Sequence, residues 1–253
     1  MILLEIQKLT KHFGSLAAIE RLHLQVAERE ILGVIGPNGS GKTTLFNLIT
    51  GFLKPNEGSV IYQGENITGL PPHKIAAKGI VRTFQATHLF KDSTALANIV
   101  AAHHLRAKSG FLSALFNSPA YAAEERKIRE SAEQMAEPIA KLVHTVSGSM
   151  PHGHQRLLAL AMALACNPRV LLLDEPVAGM NPEETSAMME RIKALRDQGI
   201  TVLLVEHDMT AVMNTCDRIV VLNYGRKIAE GLPHEIRENP EVIDAYLGTD
   251  NGA

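Results

Sequence analysis

The sequence predicts an α/β fold built on a mostly parallel sheet, and three observations carry that expectation. Three short apolar runs, Ile31–Ile35, Val170–Leu173 and Val202–Val205, lack polar alternation, as suits strands buried on both faces. A helical pattern over 183–198 joins the last two and stops at Gly199, a good C-cap residue. Strand, helix, strand at these lengths implies neighbouring parallel strands. The first thirty residues instead alternate: Leu4 and Ile6, then Leu22, Leu24 and Val26, with Glu5, His23 and Gln25 between. An antiparallel β unit should therefore precede the parallel sheet.

From Ser93 to about Lys141 there is no strand signal, and 121–140 reads as one amphipathic helix. This is a helical insertion in the α/β domain. Residues 1–86 and 166–253 form the core with its β subdomain, and 87–165 form the helical part. The stretch 218–231 reads as a hairpin turning at Asn223 to Gly225, and 231–248 as two short amphipathic helices.

Composition bounds the function. The chain has 253 residues, 45% hydrophobic and 21% charged, with net charge -2, enough for one large domain with a sizeable core. A near-neutral charge and 4% aromatics without Trp argue against a nucleic-acid partner. Two cysteines, Cys166 and Cys216, exclude a disulfide framework and a four-Cys zinc site, and fit a reducing compartment. The longest apolar run, Leu157 to Cys166, is far shorter than the roughly 20 residues of a membrane span. The N-terminus lacks the basic and long apolar regions of a signal peptide. The expectation is a soluble chain whose membrane role, if any, comes through a partner.

Gly36-Pro-Asn-Gly-Ser-Gly-Lys-Thr43 matches G-x-x-x-x-G-K-[ST] in full, after a buried strand and before a helical run, Thr44 to Thr50. Its glycines allow backbone N–H groups to surround phosphate oxygens, and the helix N-terminus adds a positive dipole end. Gly36, Pro37, Asn38, Gly39, Ser40, Gly41, Lys42, Thr43 and Thr44 are therefore candidate nucleotide-binding residues. Lys42 would reach the β- and γ-phosphates and Thr43 would ligate Mg²⁺.

Other polar residues sit at the ends of apolar runs. Asp174 and Glu175 follow Val170–Leu173 in Leu-Asp-Glu-Pro, where two carboxylates are costly unless they serve a cation or a proton transfer. Asp174 is the candidate Mg²⁺ carboxylate and Glu175 the candidate general base, with a structural ion pair as the bland reading. His207 follows Val202-Leu-Leu-Val-Glu206, Gln85 follows Val81-Arg-Thr-Phe84, and Phe13 lies in Lys11-His-Phe-Gly14. Taken singly, these three read as a structural histidine, a solvated loop amide and a core aromatic.

Taken together and in this order, the motifs resemble those of the ATP-binding subunits of ABC transporters, over nearly the whole chain. The resemblance implies a P-loop NTPase (RecA-like) core, with ATP and Mg²⁺ as cofactors. It makes Phe13 the ring that stacks on adenine, Gln85 a ligand of Mg²⁺ or of the attacking water, and His207 a sensor of the γ-phosphate. Ala178-Gly-Met-Asn181 matches a loop that crosses to a second subunit, and Asn181 with Pro182 and Glu184 is also a good helix start. The tail 231–248 resembles that of the branched-chain amino acid importer type.

One motif departs. The family's Leu-Ser-Gly-Gly-Gln signature is matched by Met150-Pro-His-Gly-His-Gln-Arg156, in which Pro151 removes the serine hydroxyl. Gly153 and His154 remain as candidates for contacting the partner's ATP, at the N-terminus of a helix expected over Gln155–Cys166. A variant working site, one weakened site in an asymmetric pair, and a His152/His154 metal site all stay open. The resemblance implies membrane permease subunits, a second ATPase subunit (a copy or a paralogue) and, indirectly, a periplasmic or extracellular solute-binding protein. It places the chain in the cytoplasm, peripheral on the inner face of the cell membrane. An ABC-type ATPase unconnected with transport and a low-hydrolysis regulatory subunit are the rivals. The first usually shows tandem cassettes or basic surfaces, and the second is opposed by the intact Glu175 and His207.

Overall fold

The computed structural model describes residues 1–83, 89–104 and 119–247. A four-stranded antiparallel sheet has the order β2-β1-β4-β5, from β1 (Ile2–Phe13), β2 (Leu16–Ala27), β4 (Glu57–Tyr62) and β5 (Glu65–Asn66). A six-stranded sheet has the order β10-β9-β3-β8-β7-β6. Its strands are β3 (Ile31–Ile35), β6 (Ile80–Arg82), β7 (Val170–Asp174), β8 (Thr201–Val205), β9 (Arg218–Asn223) and β10 (Arg226–Gly231). All its pairings are parallel except the β9–β10 hairpin. β3, β7 and β8 are buried along their whole length, which is why their sequences are continuous apolar runs.

Alternate positions of those strands face two different cores. Leu32, Val34, Leu172, Leu203 and Val220 point to one side, where α1 (Lys42–Ile49) inserts Leu45, Phe46, Leu48 and Ile49 between the two sheets. Ile35, Leu171, Leu173, Leu204 and Val221 point to the other. There they meet α5 (His152–Ala165), α6 (Pro182–Asp197), α7 (Met209–Thr215), α8 (Pro233–Glu238) and α9 (Pro240–Leu247). A third core lies among α2 (Pro72–Ala77)'s chain-order successors α3 (Ala95–His104), α4 (Pro119–Met135) and α5. α5 belongs to two cores at once: Leu160 and Ala163 pack toward the sheet, while Leu158, Ala161 and Ala165 pack toward α3 and α4. Two spacings on one helix thus tie the helical part to the α/β core.

The structure corrects several boundaries. The expected helix over 121–140 ends at Met135. A 3-10 turn from Glu137 to Leu142 follows, with non-helical dihedrals at Ile139. Pro138 explains this, since it has no N–H for an α-helical bond and clashes with the preceding turn. The helix expected over Gln155–Cys166 begins three residues earlier, at His152, with Pro151 as its extended N-cap. The helix after the glycine-rich loop begins at Lys42 rather than Thr44. Residues 143–150, which carry no sequence pattern, are held from outside. Ser147 is fully buried, its N–H donates to the Ser93 carbonyl at 2.9 Å and its hydroxyl to the Phe90 carbonyl at 2.9 Å. No helix among the described residues is long and apolar enough to cross a membrane.

Burial pushes the Cys216 thiol up to about 12, whereas Cys166 is half-buried. Because the thiolate is the nucleophile, iodoacetamide at pH 8 should leave Cys216 unmodified in the native protein. Mass spectrometry before and after unfolding in guanidinium reads the outcome.

Candidate nucleotide-binding and hydrolytic site

The C-terminal ends of β3, β7 and β8 lie side by side, and the polar residues that follow them are brought to one edge of the sheet. The glycine-rich turn leaves β3 at Gly36, whose φ of 146° lies in the region that favours glycine. A Cβ there would collide with the Leu222 carbonyl. The turn is also bolted to the β9–β10 hairpin, because the Gly225 N–H donates to the Ser40 carbonyl at 3.0 Å. Gly225 in turn accepts from the Glu20 N–H at 2.9 Å, so the turn, the hairpin and β2 form one rigid unit.

Lys42 is 7% exposed. Its Nζ donates to the Gly36 carbonyl at 2.7 Å and the Pro37 carbonyl at 2.9 Å. Burial pushes the ammonium below the ordinary lysine range, and the Glu175 and Asp174 carboxylates act against that shift. The lysine is thus folded inward on its own loop, with its charge partly compensated by carboxylates.

Asp174 and Glu175 are adjacent in sequence yet face different surroundings. Asp174 continues the side of β7 that carries Leu172, so it faces α1 and is 4% exposed. Its Oδ2 accepts from the Arg82 guanidinium at 2.7 Å. Glu175 sits just past the strand with φ of 50°, a left-handed conformation that a non-glycine residue adopts at a cost of order 1–3 kcal/mol. Its N–H donates to the Val205 carbonyl at 2.9 Å, and its Oε1 lies 2.9 Å from His207 Nε2. His207 is 48% exposed, on the solvent side of the pair. Glu206 supports this corner: its carboxylate accepts from the Val177 and His207 N–H groups at 2.9 and 3.1 Å. Burial pushes that carboxyl up, and the two backbone donors oppose the shift.

A cavity of about 480 Å³ joins these parts. It is lined by Phe13, the turn from Asn38 to Thr44, Glu175 and His207, with Tyr224 opposite. Phe13 is 48% exposed and the Lys11 Nζ lies 5.4 Å from its ring centre, so it is not a core residue. Gly36, Pro37 and Asp174 are not among the residues that line it. Gly153 and His154 are elsewhere, in the first turn of α5. There a Cβ on Gly153 would approach Glu184 Oε1 to 2.8 Å, so a larger residue would have to displace the carboxylate end of a side chain on α6 of the same chain. Gln85 lies outside the described residues. Among the described residues no three His, Cys, Asp or Glu side chains cluster as a metal site, which leaves His152 and His154 without a third ligand. Thr43 and Asp174 supply hard oxygen donors of the kind a divalent cation takes when phosphates complete its shell.

Sequence reasoning missed Arg82, Tyr224 and Tyr246. Arg82 carried a signal: it shares its strand face with buried Ile80, an unusual place for a guanidinium. Tyr246, on α9, receives a hydrogen bond from the Gly36 N–H, which opposes the upward push of burial on its phenol. No sequence pattern connects a C-terminal tyrosine to that loop.

The profile of the ABC transporter family matches residues 19–178. The chain belongs to the ABC transporter family. A second profile, described as a branched-chain amino acid ATP-binding cassette transporter, matches residues 226–251. The high-affinity branched-chain amino acid transport ATP-binding protein BraF of Pseudomonas aeruginosa is 46% identical over 249 residues, 97% of this chain and 98% of the relative. LivG of Escherichia coli K12, with the same description, is 41% identical with the same coverage. An ATP-binding cassette of an ABC transporter in its ADP conformation superposes with a TM-score of 0.85 at 33% identity, covering 98% of this chain and 99% of that one. A dimeric post-hydrolysis cassette bound to ADP and Pi superposes with a TM-score of 0.76 at 26% identity, covering 91% and 98%. This chain is accordingly a nucleotide-binding ATPase with the P-loop fold.

The Gly153–Glu184 contact gives a direct check. Asn181 caps α6 by accepting from the Glu184 N–H at 2.9 Å, and Glu184 returns a bond to the Asn181 N–H at 3.0 Å. Gly153→Ala should displace that carboxylate and so forfeit the gain of up to about 1 kcal/mol that Ala brings over Gly in a helix. In a Glu184→Ala background the same change should stabilise by about 1 kcal/mol. Urea unfolding of the four proteins measures the coupling.

Proposed function

We propose that the chain powers an importer of branched-chain amino acids or similar small solutes. It would work with membrane permease subunits, a second ATPase subunit and, indirectly, a periplasmic or extracellular solute-binding protein, on the inner face of the cell membrane. The observation that carries the reading is the Glu175–His207 pair, 2.9 Å apart in the cavity shared with the glycine-rich turn. The solute class rests on the 226–251 match and on the printed activities of BraF and LivG. Pairing of two ATPase subunits is supported by the dimeric neighbour.

In this reading Phe13 receives the adenine on its exposed face. Lys42 turns from its own loop carbonyls to the β- and γ-phosphates. Thr43 and Asp174, with Gln85, would hold Mg²⁺, which would supply positive charge to the phosphates. Glu175 accepts the proton of the attacking water, and His207 steadies that carboxylate and meets the γ-phosphate. The first-turn N–H groups of α5, at Gly153 and His154, serve the partner subunit's ATP despite Pro151, because Pro at the N-cap leaves the helix start intact. An apolar groove of about 380 Å³ between α5 and the sheet edge is the surface we assign to the permease. Phe52, Leu89, Ala159 and Met162 line it, and it reaches Arg82 and Thr83 just before the segment that carries Gln85.

Glu175→Gln keeps size and shape but loses the base. Turnover with the permease should fall about 10²- to 10⁴-fold while ATP affinity is retained. Steady-state phosphate release, paired with equilibrium binding of a fluorescent ATP, reads both. Turnover at the wild-type rate would remove Glu175 from its assigned role.

A further inference from the structure

A buried ion pair joins the ends of two neighbouring strands. Arg82 ends β6 and Asp174 ends β7, and both side chains are 4% exposed. The parallel register sets Arg82 beside Leu172, so position parity brings the guanidinium to the same sheet face as Asp174. One nitrogen donates to Asp174 Oδ2 at 2.7 Å and another to Asn47 Oδ1 on α1 at 2.6 Å. The guanidinium carbon lies 5.4 Å from the centre of the Phe46 ring. Three elements, α1, β6 and β7, therefore meet at one arginine.

A carboxylate buried to this degree needs a counter-charge. We propose that Arg82 is the resident counter-ion of Asp174, a positioning residue that holds Oδ2 and keeps the carboxylate from taking up a divalent cation before nucleotide phosphates arrive. This rests on the reading of Asp174 as a metal carboxylate. The physical argument is one of charge. A guanidinium and a dication that share one carboxylate repel each other in a poorly screened interior, and the single carboxylate and few neutral oxygens of the protein, Thr43 and Asp174 among the described residues, cannot offset that repulsion. Phosphates bring both the missing negative charge and the missing oxygens. Metal uptake thereby becomes conditional on nucleotide, and no cation occupies the site in an idle subunit.

The test is Mn²⁺ binding to the full chain without nucleotide, followed by electron paramagnetic resonance, for wild type, Arg82→Met, Arg82→Lys and the double variant Arg82→Met/Asp174→Asn. Arg82→Met removes the hydrogen-bonded counter-ion of Asp174, leaving only the Lys42 ammonium nearby, and should bind Mn²⁺ at least tenfold more tightly than wild type. Its melting temperature, lowered without metal, should recover with Mn²⁺. Arg82→Lys keeps the charge but loses the forked hydrogen bonds, so it should lower stability yet bind Mn²⁺ no more tightly than wild type, and the double variant should lose the gained site. A merely structural arginine would lower stability without creating a cation site, so equal Mn²⁺ affinity in wild type and Arg82→Met overturns the proposal. A gained site that survives in the double variant also overturns it, because the ion then lies elsewhere. The same titration with a non-hydrolysable ATP analogue tests the underlying reading separately: if Asp174→Asn alone leaves that Mn²⁺ affinity unchanged, Asp174 is not the metal carboxylate.

Discussion

The buried ammonium of Lys42 sets the terms for everything around it. An amine with so little solvent contact must find acceptors, and the chain supplies the Gly36 and Pro37 carbonyls of the same loop. That inward fold goes with the tight turn at Gly36, where the Leu222 carbonyl leaves no room for a Cβ, and the Gly225 N–H to Ser40 carbonyl bond ties the β9–β10 hairpin to the loop. Burial disfavours the charge and the nearby carboxylates restore part of it. Asp174 and Glu175 therefore act on the lysine before any phosphate is present. In the proposed function, those two carbonyl acceptors are exchanged for phosphate oxygens.

The two carboxylates illustrate how one strand end separates tasks. Strand parity sends Asp174 inward to a guanidinium, while a left-handed residue sends Glu175 outward to an imidazole. The strain at Glu175 is observed, and its place beside the reacting groups fits the concentration of such strain at functional sites. Helix α5 extends the same economy to the larger scale. One face packs on the sheet and another on α3 and α4, and its first turn carries Gly153 and His154. Movement of the helical part cannot occur without moving that first turn.

Much of this was legible in the sequence, for identifiable reasons. Continuous apolar runs announced β3, β7 and β8 because burial on both faces leaves no room for alternation. The glycine-rich loop was legible because backbone geometry there demands particular residues. Asp174 and Glu175 stood out as charges at apolar strand ends. Local signals failed where the partner is distant in sequence. Nothing near Arg82 reveals Asp174, 92 positions away, and nothing near Tyr246 reveals Gly36. Gly153 resembled a residue kept small for a ligand, but its nearest neighbour is Glu184. The start of α5 was misplaced because His152 and His154 gave no apolar periodicity, although Pro151 marked the boundary. Gln85 falls outside the described residues, so the structure adds nothing to the sequence argument for it.

The central claim is that Lys42 is a desolvated cation held ready for phosphate. Selective ¹³C labelling of the lysine side chains, with Lys42→Arg to assign the resonance, allows its titration to be followed by NMR. The account predicts titration below the ordinary lysine range in the nucleotide-free chain, and a rise once a non-hydrolysable ATP analogue and Mg²⁺ are bound. Titration at the ordinary value in both states would contradict it, because the ammonium would then be neither desolvated by the loop nor engaged by the nucleotide.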